Sequence, residues 1–172
     1  ILVFILNICI RMLRGEDKVH NTMLINMTHL NILQGQITIL IEEYIQEIVS
    51  AILAYHALGV EKSIENSHIK ELQDTFARRF KTEENFNDIF VFLNKAANKL
   101  KVFGINNQSD QVLDYSLYRE SGLAAIVIGG HKLSRGLTLE GLSVSYFARN
   151  SKMYDTLLQM CRWFGYRPNY KD

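Results

Sequence analysis

Apolar residues change their spacing twice along this chain. Residues 1–14 (ILVFILNICIRMLR) are apolar almost throughout and Gly15 follows, which predicts a core helix closing on a glycine cap. Residues 22–29 (TMLINMTH) read as a short strand that turns polar at its end and brings Thr28 and His29 to a sheet edge. From position 32 to 58 the period lengthens. Ile37, Leu40, Ile41, Tyr44, Ile45, Ile48, Val49, Ile52 and Leu53 recur at three- and four-residue spacing, as in a long amphipathic helix, closed near Gly59. Ile69, Leu72, Phe76 and Phe80 continue that period through a second helix, with Arg78 and Arg79 outward. A third is expected over residues 83–99, with Phe86, Ile89, Phe90, Leu93 and Ala97 inward and Thr82 as its N-cap.

Beyond residue 100 the short period returns. Residues 101–106, 123–128 and 142–148 read as strands, 107–114 as a polar loop and 151–164 as a helix, while 115–121 follows neither period. Short apolar strands alternating with helices point to an α/β fold, a parallel sheet covered on both faces. The helical block 32–100 is then an insertion in an α/β lobe made of residues 1–31 and 101–172. No repeat or low-complexity segment breaks the chain, and its one proline is Pro168, which argues against an internal linker.

With 172 residues, 48% of them hydrophobic, the chain can bury one sizeable core, so a single domain is expected. A net charge of +1 excludes neither nucleic acid nor acidic partners, because the placement of basic residues decides that, and here they gather towards the C-terminal end. Cys9 and Cys161 lie far apart with no second Cys or His at ligand spacing. A structural zinc site is therefore not expected, and a reduced, cytoplasmic setting fits best. The apolar run 1–10 falls short of the ~20 residues of a spanning helix and contains Asn7. It has no initiator Met or preceding basic region, and reads as a buried helix in a piece of a longer protein.

Residues 122–172 hold the candidate chemistry. The apolar strand runs into Gly129-Gly130-His131-Lys132-Leu133-Ser134-Arg135-Gly136, whose glycines permit close backbone approach to a phosphate and whose Lys132, Ser134 and Arg135 are donors. Such loops follow strands at the ligand edge of open α/β sheets. In the last helix Tyr154, Leu157, Leu158, Cys161 and Phe164 form an apolar stripe, while Asp155, Gln159 and Arg162 share another face. Gly165 ends it, and Arg167 offers a second guanidinium; two such forks suit phosphate. Taken alone, an Arg pair at this spacing is more often an ordinary solvated face. Tyr166, between the two arginines, is the best candidate to stack a base. The five histidines show no metal-ligand pairing, and the acidic pairs Glu42-Glu43 and Glu83-Glu84 read as solvated faces.

The segment 128–141 (IGGHKLSRGLTLEG) resembles motif V of superfamily 2 helicases, and 159–167 (QMCRWFGYR) resembles motif VI, which carries an arginine finger. Residues 23–29 are similar to motif IV. The string 129–170 as a whole looks like the Z-1 domain family, which accompanies superfamily 2-type ATPase domains in bacterial restriction-modification settings and is sometimes labelled endonuclease-like. That resemblance implies a RecA-like lobe that shares a composite site with an ATPase lobe outside this chain. Arg162 or Arg167 would be the finger, and Gln159 would position phosphates or the attacking water. Gly130, Lys132, Ser134, Arg135 and Gly136 would line the nucleotide cleft, and Thr28, His29, Thr138 and Tyr166 would contact nucleic acid. It implies ATP and Mg2+ in the full-length protein, DNA as a partner, and a nuclease or methyltransferase alongside. Thr138 stands where many helicases have Asp, and the Arg162–Arg167 spacing differs from the usual Arg-x-x-Arg, which leaves the finger's identity open.

No Gly-x-x-x-x-Gly-Lys-Ser/Thr loop and no strand-end Asp-Glu pair occur here, so this chain alone is expected neither to hold ATP tightly nor to hydrolyse it. The alternative reading is a non-catalytic adaptor, in which the same fold binds DNA or a partner enzyme through the long helical block.

Overall fold

The computed structural model describes residues 1–27, 30–105, 113–130 and 138–148. Its first element, α1 (Leu2–Leu13), is buried without interruption from Phe4 to Met12, which is why its sequence shows almost no polar face. The helix ends as the glycine predicts: the Gly15 N–H reaches the Met12 carbonyl and the Glu16 N–H the Arg11 carbonyl, the paired bonds of a Schellman cap. Arg11 is buried with the helix. It donates through Nε to Glu16 Oε2 (2.6 Å) and through Nη1 to Asn21 Oδ1 (2.8 Å), so the charge is paired where burial would otherwise make it costly.

Four strands form one all-parallel sheet, β1 (Asn21–Asn26), β2 (Leu100–Ile105), β3 (Ala124–Gly129) and β4 (Leu142–Phe147), in the order β2-β3-β1-β4. The chain is therefore α/β, as the alternation of periods predicts. β1 and β3 are buried at every position, and β3 accordingly reads as an unbroken apolar run. Met23, Ile25, Ile126, Ile128, Val102 and Val144 face the larger core, shared with Phe4, Ile8, Ile48, Leu72 and Leu93. Leu24, Ala125, Val127, Phe103 and Ile105 face the other way, onto a smaller cluster with Leu113, Tyr115 and Leu139.

Between β1 and β2 run α2 (Asn31–Tyr55), α3 (Val60–Ser63), α4 (Ser67–Arg79), α5 (Phe86–Phe90) and α6 (Leu93–Lys99). The long helix forms as its period predicts, yet Leu40 and Leu53 are exposed, because only Gln34, Ile45, Ile48, Ala51 and Ile52 are fully buried on it. The single helix expected over 83–99 is two. The N-cap is Asn85, not Thr82: the Asn85 side chain accepts the Asp88 N–H and the Asp88 carboxylate accepts the Asn85 N–H, a capping box that starts the helix late. A tight turn at Val91-Phe92, with the Phe92 N–H on the Ile89 carbonyl, then separates α5 from α6. Ion pairs tie this block to the end of α1, Arg14 to Glu84 (2.7 Å) and Lys95 to Asp17. The predicted helix over 151–164 lies outside the described residues.

Candidate functional site

Parallel strands give a sheet two unlike edges, and open α/β sheets bind ligands beyond the C-terminal one. There β1 ends in Asn26, 1% exposed, and the first turn of α2 carries Gln34, 5% exposed. The Ala148 N–H bonds the Asn26 carbonyl (3.1 Å), and Thr38 Oγ1 donates to the Gln34 carbonyl (2.8 Å). Buried Gly130 leaves β3 at this same edge. At β2 a Cβ on Gly104 would come within 3.0 Å of Thr38 Oγ1, so the glycine lets α2 lie close to the strand end. Asn26, Gln34, Thr38 and the glycine backbones can hold a ligand by hydrogen bonds; none of them transfers a proton at neutral pH.

The N-terminal edge is built differently. The first residues of β1 are clamped between the entries of β3 and β4: the Asn21 N–H bonds the Leu123 carbonyl and the Thr22 N–H the Gly141 carbonyl, both at 2.8 Å. Gly141, at φ 65°, makes this possible, since a Cβ there would lie 1.7 Å from the His20 carbonyl oxygen. His20 Nδ1 accepts the Leu123 N–H (3.1 Å), which fixes the neutral ring with its proton on Nε2. Nε2 stands 3.8 Å from Glu140 Oε2, too far for a hydrogen bond. With one nitrogen engaged and the other protonated, this ring has no lone pair left to act as a general base. Thr22 Oγ1 donates to the Glu140 carbonyl (2.6 Å) and so receives the Tyr115 hydroxyl (2.8 Å). Burial holds the Tyr115 phenol above its usual range, and it stays neutral. The Tyr115 ring lies 5.0 Å from that of His20, and both line a cavity of about 380 Å³ shared with Asp114, Arg119, Thr138 and Glu140.

Of the residues singled out by sequence, Gly130 and Thr138 are described, and they do not meet. Gly130 follows β3 at the C-terminal edge, whereas exposed Thr138 lines the cavity at the N-terminal edge, about 20 Å away across a six-residue strand. Thr28, His29, Lys132, Ser134, Arg135, Gly136, Gln159, Arg162, Tyr166 and Arg167 lie outside the described residues. Sequence reasoning passed over Asn26, Gln34 and the whole His20–Tyr115–Glu140 cluster. The polar last residue of an apolar strand was a readable signal for Asn26; the cluster has none, because three distant segments assemble it. Among the described residues no three His, Cys, Asp or Glu side chains gather to hold a metal ion, and no helix is long and apolar enough to cross a membrane.

The model of the Z1 domain matches residues 1–172. No curated protein and no solved structure matches the chain.

Proposed function

The chain belongs to the Z1 domain family, and from that premise we propose that it is the C-terminal RecA-like lobe of a superfamily 2-type, DNA-dependent ATPase. The observation that carries this reading is the glycine pair at the end of β3, Gly129-Gly130, at the C-terminal edge of an all-parallel sheet. That is the position from which a backbone can approach phosphate in such folds. The start of α2 supports it: the helix begins at the same edge and its first turn carries no acidic residue, so the positive end of its dipole adds to the attraction for an anion there.

On this reading Lys132, Ser134, Arg135 and Gly136 extend the phosphate-facing loop from Gly130, and Thr28, His29, Thr138 and Tyr166 meet DNA. Gln159 orients phosphate or water, and Arg162 or Arg167 stabilises charge on the transferred phosphoryl group. ATP and Mg2+ bind chiefly to another lobe, since the chain has no Walker loop and no acidic magnesium pair. The biological setting is a bacterial restriction-modification or DNA-defence system, with a nuclease or methyltransferase as partner.

The test uses the full-length protein. Arg162→Ala and Arg167→Ala are compared for ATP turnover and, separately, for DNA binding. One of them is expected to lower kcat by about 10³–10⁵ while DNA affinity changes far less. Unchanged hydrolysis in both variants rejects the phosphoryl-transfer role.

A specific observation also favours the adaptor reading. The outer face of α2 exposes Ile32 (80%), Ile39 (56%) and Leu40 (63%) beside Glu42 and Glu43, on a helix with no Lys or Arg. Solvent-facing apolar side chains in one stretch suit a protein contact. Loss of a partner enzyme on Ile32→Glu with Leu40→Glu, with ATP turnover intact, would favour docking as this block's role.

A further inference from the structure

We propose that the cavity at the N-terminal edge of the sheet binds a small zwitterion carrying one carboxylate and two cationic groups, the charge pattern of a free basic amino acid. The site is separate from the phosphate-facing edge and does not depend on that assignment.

Among the described residues three ionic side chains line the cavity, and they bear the complementary pattern: one guanidinium, Arg119, and two carboxylates, Asp114 and Glu140. Among the described residues the Arg119 guanidinium makes no hydrogen bond or ion pair. The Glu140 carboxylate likewise has no donor of its own, only the neutral His20 ring at 3.8 Å. Asp114 accepts the Ser116 N–H (2.9 Å), which with Arg119 nearby holds its carboxyl below the usual range, so it is ionised at neutral pH. Among the described residues, the Arg119 and Glu140 charges thus reach the cavity without a hydrogen-bonded partner. A ligand carboxylate on Arg119 and two cations on Glu140 and Asp114 would neutralise all three with charge-assisted bonds.

Size and shape agree. About 380 Å³ lies near the lower end of the roughly 300–1,000 Å³ of ligand pockets, as an amino acid requires. Tyr115 supplies an aromatic wall for a cation, its hydroxyl already committed to Thr22. The backbone of the walls is pre-organised. The His20 backbone is locked against Gly141, and a Cβ on Gly122 would meet the Lys18 and Val19 backbone at 3.0 Å, so the ordering cost of binding falls on the side chains and not on the backbone. The His20 ring, with no free lone pair, adds no general base to the site.

Isothermal titration calorimetry of the full-length protein tests this with four probes: L-arginine, L-lysine, agmatine, which lacks the carboxylate, and L-norleucine, which lacks the side-chain cation. L-arginine and L-lysine are expected to saturate one site, with agmatine and norleucine weaker by about tenfold or more. Arg119→Gln is expected to remove the preference for L-arginine over agmatine, and Glu140→Gln that for L-lysine over norleucine. Arg119 and Glu140 are exposed, so both variants keep the unliganded melting temperature. Absence of binding by both basic amino acids at millimolar concentration overturns the proposal. So does binding that either substitution leaves unaltered.

Discussion

Gly15 and Gly141 share a left-handed backbone, at φ 82° and 65°, but not the space around it. A Cβ on Gly15 meets nothing within 4 Å, so Gly15→Ala costs only the backbone strain, about 1 kcal/mol. At Gly141 the same Cβ would fall 1.7 Å from a carbonyl oxygen, and Gly141→Ala is expected to lose more than about 3 kcal/mol. Urea unfolding of the two variants measures the difference. Gly15 was legible in the sequence because it closes a helical run. Gly141 was not, because its neighbour, the His20 carbonyl, is distant along the chain. Cys9 gives a second test at this scale. It is wholly buried, and burial pushes its thiol far above the usual range, so in a Cys161→Ser background it should react with thiol reagents only on unfolding.

Helix α2 has two unlike sides, and substitution should separate them. Ile48→Ala, at a fully buried position, is expected to cost about 2–5 kcal/mol. Leu40→Glu, on the outer face, should cost less than about 0.5 kcal/mol in the isolated chain. The period announced the helix but not which side would be covered, since apolar residues nearly encircle its first half. The break between α5 and α6 was illegible for a related reason: the apolar period runs through it, and a side-chain cap at Asn85 with a tight turn after Phe90 overrides that period. The Arg14–Glu84 pair joining α1 to the approach to α5 adds a pH dependence. The hydrogen bond from Arg14 holds the Glu84 carboxyl below its ordinary pKa of 4.5. Its contribution is therefore complete above pH 4.5 and lost as pH falls through the folded value. The pair is partly exposed, so the effect is under about 1 kcal/mol, and the stability gap between wild type and Glu84→Gln should close on acidification.

At the scale of the molecule, the change of hydrophobic period was sufficient to read the α/β class, and all four strands begin within a residue of where the pattern put them. The order of the strands was not readable, because strand pairing depends on which segments the intervening helices bring together. The glycine pair after β3 was legible as a ligand-edge signal, while the cavity at the opposite edge is made of single residues with no shared spacing. That strand order has a further consequence during synthesis. β1 pairs with β3 and β4 alone, and the His20–Leu123 bond at its entry spans 103 residues. At roughly 5–20 residues per second, a ribosome leaves the apolar β1 without a strand partner for about 5–20 s. Over that interval the helices made next are its available cover. Substitutions that loosen α2 without touching the sheet should therefore lower the yield of soluble protein more than the equilibrium stability, a difference that co-expression of a holdase chaperone would reduce.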